Sequence, residues 1–116
     1  MGTPAMMRRG TVVLVRFPFS DLSASKLRPA IVIAPVGRDD YVLTQVTSNP
    51  YADVHAVQLD ERHFDEGSLH RTSFARPGKL FTANASIVAR TAGQLTAKAA
   101  EAVLDAVIRV LRNNGS

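Results

Sequence analysis

Two apolar, β-branched runs flanking a polar stretch restrict this chain more than anything else in it. The first is Thr11–Phe17 and the second Ala30–Ile33. Valine, isoleucine and phenylalanine at this density read as buried strand. Pro18 is expected to end the first run, because proline cannot donate to a central ladder. Pro29 is expected to open the second, where a missing N–H costs least. Proline also drives the residue before it into an extended conformation. Arg28 should therefore stand extended at the mouth of a strand, its guanidinium leaving a rigid base.

The chain has 116 residues, enough for one core and one domain. Fourteen Lys and Arg oppose ten Asp and Glu, giving a formal charge of +4 and a pI near 10.1. That balance favours a polyanionic partner, nucleic acid first. There is no cysteine, which removes disulfides and thiolate metal sites and fits a reducing cytoplasm. No run is long and apolar enough to span a membrane. Residues 1–9, with Arg8-Arg9 as solvated charge, are expected to form a loose tail before a single domain at residues 10–113.

Along the chain, Val13, Val15 and Phe17 should share one face of the first strand, and Val12, Leu14 and Arg16 the other. The loop Pro18–Leu27 holds Ser20, Ser23, Ser25 and Lys26, and its length suits a binding role. Gly37–Asp40 is a turn cluster leading into a third strand at Tyr41–Val46. Further strands are expected at His55–Leu59, Arg71–Arg76, Lys79–Thr82 and Ser86–Arg90, with Pro77-Gly78 breaking the middle pair and Gly93 closing the last. Asp60–Leu69 reads as loop or one helical turn. Many short strands in so few residues suggest a small, strongly bent barrel. Thr96 can cap a helix running to about Arg112, with an apolar stripe of Val103, Leu104, Val107, Ile108, Val110 and Leu111. The fold class is mainly β with a C-terminal helix.

If strands two and three pair about the Gly37–Asp40 turn, the start of one faces the end of the other. Arg28 then meets Thr47 and Ser48, a guanidinium and two hydroxyls at one end of a sheet. The alternative is that Thr47 and Ser48 only stabilise a turn. Arg16 beside Arg28, or a solvated Arg16, are the two readings of the first strand's charge. His55, His63 and His70 match no zinc spacing, so surface histidines are preferred to a divalent-ion site with Asp65 and Glu66. No nucleophile elbow, phosphate loop or dinucleotide fingerprint is present, which leaves conventional hydrolase and nucleotide-binding chemistry unsupported.

The run from Gly10 through Phe17-Pro18-Phe19 to Lys26-Leu27-Arg28-Pro29-Ala30-Ile31-Val32 resembles the opening of MazF/PemK-type toxins. Val46-Thr47-Ser48-Asn49 is similar to that family's second signature, and Arg76–Thr82 to its later strand. The likeness runs from about Arg9 to Leu111. Two details depart from it: Thr11 follows Gly10 where many members have Asp, and the loop reads Ser23-Ala24-Ser25-Lys26. The resemblance implies a small SH3-like β-barrel of the MazF/CcdB type and a homodimer. It implies a cytoplasmic endoribonuclease that cuts single-stranded RNA at short sequences with no metal or other cofactor, and that is neutralised by an acidic, partly disordered antitoxin. The catalytic residues then fall on Arg28 and Thr47, with Ser48 beside them. Arg16, Ser20, Ser23, Ser25, Lys26, Arg76 and Lys79 are the candidate RNA contacts. A gyrase-poisoning toxin on the same fold and a non-catalytic nucleic-acid-binding module remain as alternatives, since fold alone does not separate them.

Overall fold

The computed structural model describes residues 7–17, 26–50 and 53–113. Seven strands form one antiparallel sheet, curled into a half-barrel, with a single helix after them. They are β1 (Thr11–Phe17), β2 (Lys26–Gly37), β3 (Asp40–Thr47), β4 (Val57–Leu59), β5 (Phe64–Gly67), β6 (Ser73–Asn84) and β7 (Val88–Leu95), followed by α1 (Ala97–Arg112). Their spatial order is β4-β6-β3-β2-β1-β7-β5. The small barrel expected from the sequence is thus a strongly bent sheet whose two short strands, β4 and β5, form the edges.

The central strands are apolar without interruption because both faces of the sheet are covered. Val12, Ile31, Ile33, Val46, Ala75 and Leu95 pack beneath α1, against Ala99, Val103 and Val107. The alternate residues, Val13, Val15, Ala30, Val32 and Leu43, form a second cluster on the other face with Met7 and Ala85. Residues of the stretch read as a tail take part in this packing. Met7 is buried, and Arg9 donates from Nε to the Ile33 carbonyl at 3.0 Å.

Several boundaries differ from the expectation, each for a physical reason. β2 is twelve residues long and contains Pro29 rather than starting at it. Pro29 lies opposite Leu14 of β1, but the ladder to β3 begins only at Ala30, so Pro29 has to satisfy one neighbour and not two. The two strands expected around Pro77-Gly78 are one strand, β6. The register against β3 jumps there, from Thr44↔Leu80 to Gln45↔Arg76, and the surplus residues 77–79 bulge out. The Thr44 hydroxyl donates to the Arg76 carbonyl across this bulge. β4 is only Val57–Leu59, and β7 runs through Gly93 to Leu95.

The stretch Asp60–Leu69 holds a 3₁₀ turn at Glu61–His63 and then strand β5. Asp60 Oδ1 accepts from Arg62 N, and His63 Nδ1 accepts from Asp60 N at 2.9 Å, so this histidine serves a cap. β5 lies very close to β7. A Cβ on Gly93 would stand 2.5 Å from the Glu66 carbonyl oxygen and 3.2 Å from Gly67 Cα. Gly67 itself has φ +69°, open to glycine at no cost.

The helix matches its sequence signals at both ends. Thr96 Oγ1 accepts from Ala99 N at 3.1 Å, and Arg109 and Arg112 occupy the last turn, where cations suit the dipole. Its buried stripe is shifted from the one expected, onto Ala99, Ala100, Val103, Ala106 and Val107. Alanines let the helix lie close to the sheet, and Ile108 and Leu111 are left 39% and 66% exposed.

Gly93→Ala is expected to destabilise the fold by about 1–3 kcal/mol, because the new methyl meets backbone that cannot swing aside. Urea denaturation checks this, and an unchanged midpoint would contradict the close β5–β7 approach.

Candidate functional site

The site is built on the β2–β3 hairpin. Its turn is tight: Gly37, Arg38 and Asp39 all have positive φ, at 100°, 53° and 63°. Two consecutive residues of this kind match the right-handed twist of the flanking strands. From the Gly37↔Asp40 turn the ladder shifts register twice, between Pro35 and Gly37 and between Val32 and Ala34, and ends at Ala30↔Gln45. Continued two residues past that end, the last register would put Arg28 opposite Thr47. On its other side Arg28 lies opposite Val15 of β1, and Thr47 lies opposite Phe74 of β6.

Arg28 is exposed and makes no ion pair among the described residues. Thr47 ends β3, and its hydroxyl donates to the Asn49 carbonyl and accepts from Asn49 N, both at 3.1 Å. The turn reading of Thr47 is therefore realised. Ser48 follows, exposed.

The other cations divide by the pleat. Lys26 is two residues from Arg28 on the same strand and shares its face. Arg16 lies opposite Leu27, so it belongs to the other face and is not beside Arg28. Arg76 lies opposite Gln45, two residues before Thr47, and so joins the Arg28 face. It is not a free cation: its Nε donates to Asp53 Oδ2 at 2.8 Å. Lys79, in the β6 bulge, is exposed beside it at a cavity of about 490 Å³ that Asp53, His55 and Gly78 also line. Ser20, Ser23 and Ser25 lie outside the described residues.

Asp53 is a residue that nothing in the sequence singles out. Asp53 becomes visible only through its pairing with Arg76, 23 residues away. The Arg76 hydrogen bond holds the Asp53 carboxyl below the usual carboxylate range, against burial, which pushes it up; the His55 N–H, donating to Oδ1 at 3.0 Å, adds to the lowering. Through Asp53 the segment after Thr47-Ser48 is tied to the β6 bulge. Among the described residues no three His, Asp or Glu side chains group to hold a metal ion.

What Arg28 offers chemically is a planar, permanently charged fork, exposed near the start of β2. Such a fork meets two phosphoryl oxygens with parallel hydrogen bonds.

A family model described as PemK-like, MazF-like toxin of type II toxin-antitoxin system matches residues 8–111. Among curated proteins, no sequence match was found. Solved structures share the fold at low identity. MazF from Deinococcus radiodurans superposes with a TM-score of 0.70 at 18% identity, covering 96% of this chain and 98% of that one. A mycobacterial endoribonuclease in complex with its cognate antitoxin gives 0.70 at 14% identity, covering 91% and 95%. The Mycobacterium tuberculosis toxin MazF-mt6 gives 0.67 at 15%, covering 87% and 95%.

The depressed Asp53 carboxyl sets a pH dependence. Its contribution to stability is complete above the pKa of an unfolded Asp, about 3.9. It is lost as pH falls from there through the lower folded value. Stability should thus fall with acidification below about pH 4, and Asp53→Asn should flatten that part of the curve. Denaturation of both proteins across this range is the check; identical pH profiles would remove the pair's role.

Proposed function

Because the chain belongs to the PemK-like, MazF-like toxin family of type II toxin–antitoxin systems, we propose that it is an endoribonuclease that cuts single-stranded RNA without a metal. The observation that supports this most is the β2–β3 ladder, whose last register at Ala30↔Gln45 would put Arg28 opposite Thr47 if continued two residues. In this reading the substrate supplies its own nucleophile. The ribose 2′-oxygen attacks the adjacent phosphorus, and the bond from phosphorus to the 5′-oxygen breaks. A 2′,3′-cyclic phosphate and a 5′-hydroxyl are left.

Arg28 stabilises the charge that gathers on the phosphoryl oxygens in the transition state. It stays protonated, so it acts as a charge stabiliser and not as a base. Thr47 orients the 2′-hydroxyl or donates to the phosphate, and Ser48 stands next to it as a further donor. Lys26 and Lys79 supply backbone contacts on the same face. Arg76 serves that face through Asp53, which neutralises much of its charge, and is a poorer phosphate contact than the sequence suggested. Arg16 contacts RNA only where the strand wraps over the sheet end.

The reading extends to a homodimer in the cytoplasm, held by an acidic antitoxin as its partner. The mycobacterial endoribonuclease above is described in complex with a cognate antitoxin, and this chain's basic balance suits a polyanionic protein segment as well as RNA. The dimer is supported by apolar side chains that the fold leaves outside: Leu27 is 43% exposed, Val36 54% and Leu111 66%.

Arg28→Ala should fold normally and cut RNA roughly 100- to 1,000-fold more slowly, the loss of about 2.7–4 kcal/mol typical of one such donor. Arg28→Lys should recover only part, because a point charge lacks the fork. Both are measured with mixed RNA in excess EDTA, with the cut ends mapped. Near-normal cutting by the folded alanine variant would overturn the assignment. For the dimer, sedimentation at micromolar concentration should give twice the 12.5 kDa chain mass; a monomer would contradict it.

A further inference from the structure

A second concave surface lies on the opposite face of the same sheet end. Two cavities, of about 540 and 230 Å³, share Leu14 and Leu69 and so form one groove. Leu14 lies opposite Pro29 on one side and Arg90 on the other. Arg90 therefore stands two strand spacings, roughly 10 Å, from the neighbour of Arg28. The smaller cavity reaches Ser48 and Arg71, and the larger adds Ser68, His70 and Thr91.

The charge of this groove has one sign. Among the described residues neither cavity has an acidic lining residue, and Arg71 and Arg90 make no ion pair. The nearby acids lie on β5, where Glu66 pairs with Gln94 and Asp65 lines a different cavity beside Arg8 and Arg9. His70 holds φ +62°, a conformation that costs a non-glycine residue energy and that tends to mark functional segments. Its N–H donates to Ser68 Oγ at 2.8 Å, which fixes the bend between Leu69 and Arg71.

We propose that this groove grips the phosphate backbone of single-stranded RNA flanking the cut, a reading that rests on the endoribonuclease function above. Arg71 and Arg90 supply forks for two phosphates, the hydroxyl of Thr91 supplies a further donor, and Leu14 with Leu69 forms a floor for the sugar. Among the described residues no aromatic side chain lines the groove. The contacts its described residues offer are to the phosphate backbone. The groove begins at Ser48 and Pro29, the immediate neighbours of Thr47 and Arg28, so a strand held at the reacting centre enters it by rounding the end of β2 and β3.

The test uses Arg28→Ala protein, whose slowed cutting leaves time to read binding, and one short RNA with and without a flanking extension. Adding Arg71→Ala and Arg90→Ala should weaken binding of the extended RNA roughly tenfold and make the plot of log K against log salt shallower by about 1.4, or 0.7 per phosphate. The short RNA should lose less. Arg71→Lys with Arg90→Lys should keep the salt slope, which separates lost charge from lost fold. Unchanged affinity and slope in the alanine variants would overturn the groove. So would loss of poly-glutamate binding with RNA binding intact, since the groove would then be a peptide site. If the unaltered protein cuts no RNA and the Arg28→Ala protein binds none, the endoribonuclease reading itself falls, and the groove with it.

Discussion

The register between β2 and β3 is the constraint on which the remaining structure depends. It is held from three directions at once. The positive φ values at Gly37, Arg38 and Asp39 close the hairpin tightly. Ile31 and Ile33 have to reach the helix face, while Ala30 and Val32 have to reach the other cluster. A slip of one residue would send every one of these side chains to the wrong side. With both faces buried, a one-residue slip would expose the core, and the two shifts between the turn and Val32 are taken up as bulges.

Around that hairpin the sheet is irregular where the site is. β6 carries three surplus residues at Pro77-Gly78-Lys79 opposite the step from Thr44 to Gln45. The Thr44 hydroxyl takes up the Arg76 carbonyl there, and Asp53 takes up the Arg76 side chain. One arginine thus ties the bulge to β3 and to the segment that follows Thr47-Ser48. Breaks in an otherwise regular ladder commonly re-aim side chains beside a site. Here the break lies two residues from the hydroxyl assigned to the chemistry. A polar network of this kind sets positions more than it adds stability, because a half-exposed ion pair is worth little in water.

Much of the fold was legible before the structure was known. The bounds of β1, the Gly37–Asp40 turn and the Thr96-capped helix follow from short-range signals: β-branched density, turn residues and capping chemistry. The pairing of β2 with β3 about the Gly37–Asp40 turn could be read from the turn residues, but its two register shifts, between Pro35 and Gly37 and between Val32 and Ala34, could not. β6 was not legible as one strand, since Pro77-Gly78 is ordinarily a break and only the bulge makes it continuous. β5 was missed because Phe64–Gly67 is mostly polar; it is a strand because Gly67 and Gly93 let it lie against β7. The helix stripe was placed on the largest aliphatic residues, but close packing selected the small ones.

By itself, then, the sequence determined the local elements and the one pairing joined by a short turn, because those depend on backbone preferences within a few residues. It also determined the kind of chemistry available, a guanidinium near hydroxyls on a basic chain without cysteine. Only the tertiary structure decided which cations are free. Asp53 claims Arg76 from 23 residues away, and the pleat sends Arg16 to the face away from Arg28. It also decided that Leu14, Leu69, Arg71 and Arg90, from three separate parts of the chain, border one groove. Such contacts are set by how a whole sheet curls to cover both of its faces, and no stretch of sequence contains that information locally.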